Sequence, residues 1–405
     1  MRQFAWLTTA GMPGAIVTAC RWAYRPKQGR RGESAMELAY EVAQPVDERV
    51  NAALERFGTR AAECHVPRSQ AARVRVAVYG RRCVTRTFEI GATFATVSDD
   101  GARPVEATVS MTAATLDAIL AAPTTFDARI VEFGSRIAIA GDVQVAHHLL
   151  QLLKRPTPKT VARLERARAM APAWLDEVPQ TSTVDASAVL ASLTASRPLC
   201  LRGVLEWPAC RWSLDEFAAQ HGDVALLGGA DGKVLSLRTF IGALRSASRE
   251  VADVPYTYGC LLPAALEPLF PFPMFAPAAF SAPQIWAGAR REHALVTRLH
   301  CDVAASFLAQ VHGRKKVRLF APAERERLYP FEAFNVHQPC RVDAANPDLT
   351  RFPLFAQARY VDITIDAGDL LIVPPGWYHC VWAIDDVISV SRFLDEDIAP
   401  LHFAN

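Results

Sequence analysis

Apolar and polar positions along the chain repeat with two different periods. In "ARVRVAVYG", Val74, Val76 and Val78 recur every second residue, the period of a half-buried strand. "VEATVSM" repeats it with Val105, Ala107, Val109 and Met111. The period then lengthens. In "AATLDAILAA", Leu116, Ile119 and Leu120 share one helical face, and Thr112 stands where an N-cap belongs. "SRIAIAGD" predicts another short strand, and Asp142 can cap "VQVAHHLLQLLK", where Val145, Ala146, Leu149 and Leu153 form a stripe. Residues 36–155 are therefore expected to form a small α+β unit. Pro156 and Pro158 cannot donate a helical hydrogen bond and end the preceding helix. Residues 156–183 are then expected to be a linker carrying one short basic helix, "KTVARLERARAM", whose charges read as a solvated face.

From residue 184 onward the texture changes. "RPLCLRGVLEWPACRWSLDEFAAQHGD" predicts a strand, a loop and a helix capped by Ser213. Beyond residue 280, "APQIWAG", "ASFLAQVHG", "KKVRLFAP", "ARYVDITIDAGD", "LLIVPPGWYHCVWAI" and "VISVSRFL" read as strands. Many short strands with tight turns predict a sandwich or barrel over residues 184–405.

Composition narrows the class further. A length of 405 residues accommodates two or three domains, and 51% apolar with 21% charged residues is ordinary for a globular chain. A net charge of +2 gives no support for a nucleic-acid surface or a polybasic membrane anchor. Nine cysteines, an odd number with no CxxC pair, argue against a disulfide framework and for a reducing cytoplasm. No apolar run reaches the roughly 18 residues a bilayer span needs. Gly11, Pro13 and Gly14 interrupt the first apolar stretch, so residues 1–35 are expected to be an extension, with Met36 a candidate alternative start.

Candidate chemistry begins in "TRLHCDVAASFLAQVHGRKKVRLF". Side chains alternate across a strand, so His300 and Asp302 point to one face and can reach one metal ion. Alone, such a triplet also fits a surface histidine beside a solvated aspartate. The second segment, "GDLLIVPPGWYH", places His379 just past an apolar strand and a rigid Pro374-Pro375-Gly376 corner. Alone, His379 reads as a satisfied core histidine. Together, two histidines and a carboxylate make the facial triad of non-heme iron oxygenases, which leaves coordination positions open. In "KKVRLF" the alternation sets Lys315 inward with Val317 and Leu319, and Lys316 outward with Arg318. An inward lysine needs an anionic partner, because an unpaired buried charge is unfavourable.

"HCDVAASFLAQVHGRKKVRLFAP", "YPF", "NPDLTRFPLF" and "GDLLIVPPGWYHCVW" together resemble the JmjC and cupin-like 2-oxoglutarate oxygenases, and within them the factor-inhibiting-HIF-like asparaginyl hydroxylases. The resemblance covers roughly residues 195–394 and implies a double-stranded β-helix, the jelly roll of cupins. It implies that His300, Asp302 and His379 hold Fe(II). It also implies that Lys315, with Thr297 and Tyr256 as hydroxyl donors, holds the distal carboxylate of 2-oxoglutarate. Tyr258 in "PYTYGC" rivals Tyr256. Ser306 stands beside the co-substrate where the nearest relatives of that group carry Asn, and Ser391-Arg392 stands where Asn is usual. The chain ends about ten residues past that strand, without the C-terminal helices through which those relatives dimerise, so a homodimer would need another surface, such as the N-terminal unit. The implied reaction couples oxidative decarboxylation of 2-oxoglutarate by molecular oxygen to hydroxylation of a C–H bond, first of all on an amino-acid side chain of a peptide or protein.

The order of elements ending in "RIAIAGD" and an amphipathic helix resembles the sterol carrier protein type two domain, over roughly residues 40–155. That resemblance implies a cavity for an apolar ligand, or a docking module. Competing readings are a tailoring hydroxylase of an apolar or peptide-derived metabolite, a metal- or peptide-binding cupin without turnover, and a zinc hydrolase using the same triad.

Overall fold

The computed structural model describes residues 43–65, 71–80, 82–98, 104–126, 128, 136–228, 233–247, 255–257, 259–290 and 294–394. The extension at residues 1–35, Met36 and Tyr258 lie outside them. The chain divides into two compact units at Val46/Asp47. Of the first, only residues 43–46 are described, as the start of the helix Ala43–Glu63. Everything below concerns the second unit, from Asp47 onward.

Its N-terminal part is a five-stranded sheet of β1 (Ala72–Tyr79), β2 (Cys83–Ile90), β3 (Phe94–Val97), β4 (Ala107–Thr112) and β5 (Ile137–Gly141), in the order β3-β2-β1-β4-β5. The neighbours β1 and β4 run parallel and the other pairs antiparallel. Val74, Val76 and Val78 are buried, as their alternation requires. They join Phe57, Ile119 and Leu149 from three helices in one core. Both expected caps form: Thr112 Oγ1 accepts from Thr115 N, and Asp142 Oδ1 accepts from Val145 N at 3.1 Å. The strands β2 and β3 carry Arg86, Glu89 and half-exposed positions, so their pattern is too weak to read from sequence.

The helix Pro158–Met170 departs from expectation. Pro158 opens this helix, with Thr157 as its N-cap, while the preceding helix ends at Gln151. It is docked: Leu164 and Ala167 lie against Gly376, and Arg163 Nη1 donates to Val303 O at 3.4 Å. The segment expected to be a linker therefore covers the Pro-Pro-Gly corner with one side, while Lys159, Arg166 and Arg168 on its charged face are exposed. Gly376 has φ +78°, a left-handed turn that a side chain would strain.

Two antiparallel sheets complete the unit, as expected for a jelly roll. The larger contains β6 (Gln180–Thr181), β7 (Leu199–Leu201), β10 (Cys260–Leu261), β11 (Gln284–Gly288), β13 (Ala305–His312), β17 (Leu370–Val373) and β19 (Val387–Leu394), ordered β10-β11-β19-β13-β17-β7-β6. Its one parallel pair is β6 with β7. The smaller contains β12 (Thr297–Asp302), β14 (Lys315–Phe320), β15 (His337–Pro339), β16 (Val361–Ile365) and β18 (Tyr378–Ala383), ordered β15-β12-β18-β14-β16. A hairpin of β8 (Ala225–Gly228) and β9 (Lys233–Ser236) stands apart from both. Val317 and Val381 from one sheet meet Leu371 and Val387 from the other in a shared core. The outer face of the larger sheet is covered by a second core around Phe280 and Phe307. Both faces of that sheet are thus buried, which explains the continuous apolar run of β17.

Candidate metal and co-substrate site

Register brings the three candidate ligands together. Adjacent strands β12 and β18 pair antiparallel, with His300 opposite His379. Asp302 lies two residues on from His300, on the same face. His300 Nε2 is 3.7 Å from Asp302 Oδ1, and His379 Nε2 is 3.7 Å from Asp302 Oδ2. The ligand atoms of all three lie within 4.8 Å of one another.

Backbone carbonyls fix both rings. His300 Nδ1 bonds to Arg298 O at 2.7 Å and His379 Nδ1 to Trp377 O at 3.1 Å, each two residues back along its strand. A carbonyl only accepts, so each Nδ1 carries the proton and each Nε2 lone pair turns toward Asp302. Burial lowers the His379 imidazolium pKa to about 3, helped by neighbouring His300, so the ring is neutral. Burial also raises Asp302 to about 6, although His300 opposes this. Two imidazoles and one desolvated carboxylate form a donor set that a divalent cation satisfies, because the cation compensates the buried carboxylate. Iron(II) fits this set.

The cluster opens on a cavity of about 810 Å³ between the two sheets, lined also by Thr297, Ser306 and Lys315. Lys315 is 2% exposed and faces inward, as the alternation predicts. Lys316 points out, with its Nζ 4.3 Å from the Trp382 ring centroid, and Arg318 beside it pairs with Asp362. Among the described residues no carboxylate pairs with the Lys315 ammonium, and desolvation alone lowers its pKa to about 7. A buried cation at a cavity wall without a protein counter-ion favours an anionic ligand.

Tyr256 does not line the cavity. It is 1% exposed, with its ring centroid 5.8 Å from Lys315 Nζ, and so stands behind that side chain. It is bridged to Gly288, where an added Cβ would meet Tyr256 Cδ2 at 2.0 Å and Pro255 O at 2.8 Å. Gly288→Ala is therefore expected to displace Tyr256, lower stability by roughly 1–3 kcal/mol and weaken anion binding at Lys315. Thermal unfolding together with 2-oxoglutarate titration measures both effects.

Among the lining residues that escaped the sequence reading, Trp286 and His337 stand nearest to chemistry. Trp286 lies on the cavity side of β11 with Gln284, and its Nε1 donates to Ser391 Oγ at 2.7 Å. The period of "QIWAG" carries that signal. The Ser391 hydroxyl, at a position where Asn is usual in the resembling group, is thus engaged by an indole. Arg392, next along β19, turns to the opposite face and pairs with Glu267 at 2.6 Å. His337 lines the mouth, its ring edge-on to His300 at 5.7 Å. It sits in a strand of three residues, too short to show a period.

A jelly roll holding a His-X-Asp and a distal His inside, with a buried lysine along the same cavity, is the arrangement of a cupin-like domain. Residues 247–399 match the family model of the cupin-like domain. JmjC homologues use Fe(II), 2-oxoglutarate and molecular oxygen, and the His-Asp-His set here can hold the metal. Lysine-specific demethylase 8 of Xenopus tropicalis is 42% identical over 96 residues, 24% of this chain and 22% of that protein. JmjC domain-containing protein D of Dictyostelium discoideum is 38% identical over 96 residues, 24% and 21%. HSPB1-associated protein 1 of Homo sapiens is 34% identical over 117 residues, 27% and 23%. The chain spans about a quarter of the length of these curated relatives.

Proposed function

We propose that this chain is an Fe(II)- and 2-oxoglutarate-dependent dioxygenase that hydroxylates a C–H bond, with an amino-acid side chain of a peptide or protein as its target. The observation that carries the reading is one cavity walled by both the His300–Asp302–His379 cluster and Lys315, which has no carboxylate partner among the described residues. Bound iron would supply the oxygen chemistry: molecular oxygen is the oxidant, decarboxylation of 2-oxoglutarate to succinate and carbon dioxide takes up one of its atoms, and the other enters the C–H bond. The chain's own residues hold and orient. His300, Asp302 and His379 hold the metal. Lys315 takes the distal carboxylate, with Thr297 and Ser306 on the same walls and Tyr256 backing the lysine. Val303, Leu308 and Phe393 contribute apolar wall that keeps the cavity short of water.

Relatives named lysine-specific demethylases favour a second reading at the same site, in which the hydroxylated carbon is an N-methyl group. One experiment separates the two. Anaerobically purified, iron-loaded protein is incubated with 2-oxoglutarate, oxygen and peptides from a lysate, and the products are weighed by mass spectrometry. A gain of one oxygen identifies a stable hydroxylation. Loss of a methylene identifies demethylation, and no succinate above the His300→Ala background rejects both.

We read residues 36–155 as a sterol-carrier-like unit that offers an apolar ligand or a docking partner its site. The order helix, three strands, crossover strand, helix, strand, helix supports this. A reducing, cytoplasmic setting is supported by the eight described cysteines, all free thiols. Among the described residues no helix is long and apolar enough to cross a membrane.

A further inference from the structure

The segment Phe331–Val336 joins two places that the sequence treats as separate domains. At one end, Ala333 belongs to the core of the N-terminal sheet and Phe331 packs against it. Asn335 Nδ2 donates to Phe126 O at 3.1 Å, and Phe126 is itself fully buried in that core. At the other end, Val336 is 66% exposed and lines the mouth of the metal cavity, and His337 follows it there. Val336 O accepts from the amide of Val303, the residue after Asp302, at 3.2 Å. Opposite His337 in the β12–β15 register lies Asp302 itself. Gln338 closes the segment on itself: its Nε2 donates to Phe331 O at 2.8 Å, and its Oε1 accepts from Tyr378 OH at 2.8 Å.

We propose that the N-terminal sheet of the second unit, with the helices packed on it, is a fixed part of the substrate site: through the segment Phe331–Val336 it holds Val336 and His337 at the open side of the metal cluster, with Asn335 as the positioning residue. The edge strand β15 has three residues, and two- or three-residue edge strands have little stability of their own. Its placement is therefore taken from what anchors its approach, and that anchor is the Phe126 carbonyl and the apolar pocket around Ala333. Loosening the anchor frees the mouth while leaving the Lys315 end of the cavity as it is.

That the mouth receives substrate rests on the preceding reading, whereas the structural coupling does not. Amide hydrogen exchange tests the coupling on the full chain. Asn335→Asp keeps the size but sets a carboxylate against the Phe126 carbonyl, and Asn335→Gln keeps an amide donor. Asn335→Asp is expected to raise exchange at the amides of Val303, Phe331 and Cys340 by at least about tenfold, and Asn335→Gln to restore most of the protection. Leu116→Ala, a cavity in the N-terminal core, is expected to raise exchange at the same amides. In 2-oxoglutarate turnover without added substrate, Asn335→Asp is expected to change kcat by more than about threefold while KM for 2-oxoglutarate stays within about twofold. The inference is overturned if exchange rises around Phe126 in Asn335→Asp and Leu116→Ala while Val303, Phe331 and Cys340 keep wild-type protection. Should wild-type protein consume no 2-oxoglutarate with Fe(II), the proposed function falls and the exchange result still decides the coupling.

Discussion

His379→Ala is expected to lower iron occupancy to below about a tenth of wild type and turnover by at least about a thousandfold. The size of the effect follows from how the three donors are built. His300 and Asp302 share one strand and move together, while His379 arrives on the neighbouring strand with its ring fixed by the Trp377 carbonyl. Losing it leaves two donors from one backbone segment, which cannot define an octahedral face. Truncating a buried, neutral ring at a cavity wall leaves the jelly-roll core intact, so the variant is expected to unfold within a few degrees of wild type. Metal analysis after anaerobic loading, succinate formation and a melting curve together check the expectation. Wild-type iron content in a folded His379→Ala protein would remove the residue from the site.

Lys315→Met is expected to act in opposite directions on stability and on binding. The ammonium is buried and without a carboxylate partner among the described residues, so the fold carries an uncompensated charge. Replacing it with an apolar chain of similar length is expected to raise the stability of ligand-free protein by a few kcal/mol at neutral or lower pH. The same change is expected to raise KM for 2-oxoglutarate by about a hundredfold or more. The pH dependence has a definite sign. The folded-state pKa is about 7, below the ordinary 10.5 of the unfolded chain. Between these values the unfolded chain holds the proton and the folded one does not, so wild-type stability rises with pH across that window. Below about pH 7 both states are protonated and the full penalty is present. Affinity for the dianion runs the other way, falling up to about tenfold per pH unit above 7, where the free lysine is neutral. Chemical denaturation and calorimetric titration from pH 6 to 9 measure both slopes, and Lys315→Met is expected to flatten them. Equal 2-oxoglutarate affinity in wild type and Lys315→Met would assign the anion to another group.

The parts of this picture that the sequence made legible are those governed by period two. The burial of Lys315 against the outward turn of Lys316, and the shared face of His300 and Asp302, follow from alternation alone. The caps at Thr112, Asp142 and Ser213 were equally plain, because a short polar side chain before an apolar period has one local use. Less could be read where position depends on distant partners. Tyr256 was expected as a hydroxyl donor beside Lys315, and its depth behind that side chain, where Gly288 makes room for the ring, was not legible. His337 was invisible because three residues set no period, and its place comes from the anchored segment before it together with pairing to β12. The docking of the basic helix at residues 158–170 was not legible because its apolar contacts, Leu164 and Ala167, are few and are matched to one glycine more than two hundred residues away, while its charged face is exposed as expected.

That docked helix has a consequence for how the chain can be divided. A fragment beginning near residue 184 would keep every candidate ligand and still lose the cover over Gly376, three residues before His379. It would also lose the anchor for Asn335 and so the brace on both sides of the metal-bearing strands. Excision at that boundary is therefore expected to yield a sticky, short-lived product, and transplanting the barrel alone into another protein is expected to fail. The two parts are thus expected to fold as one body and to tolerate separation poorly.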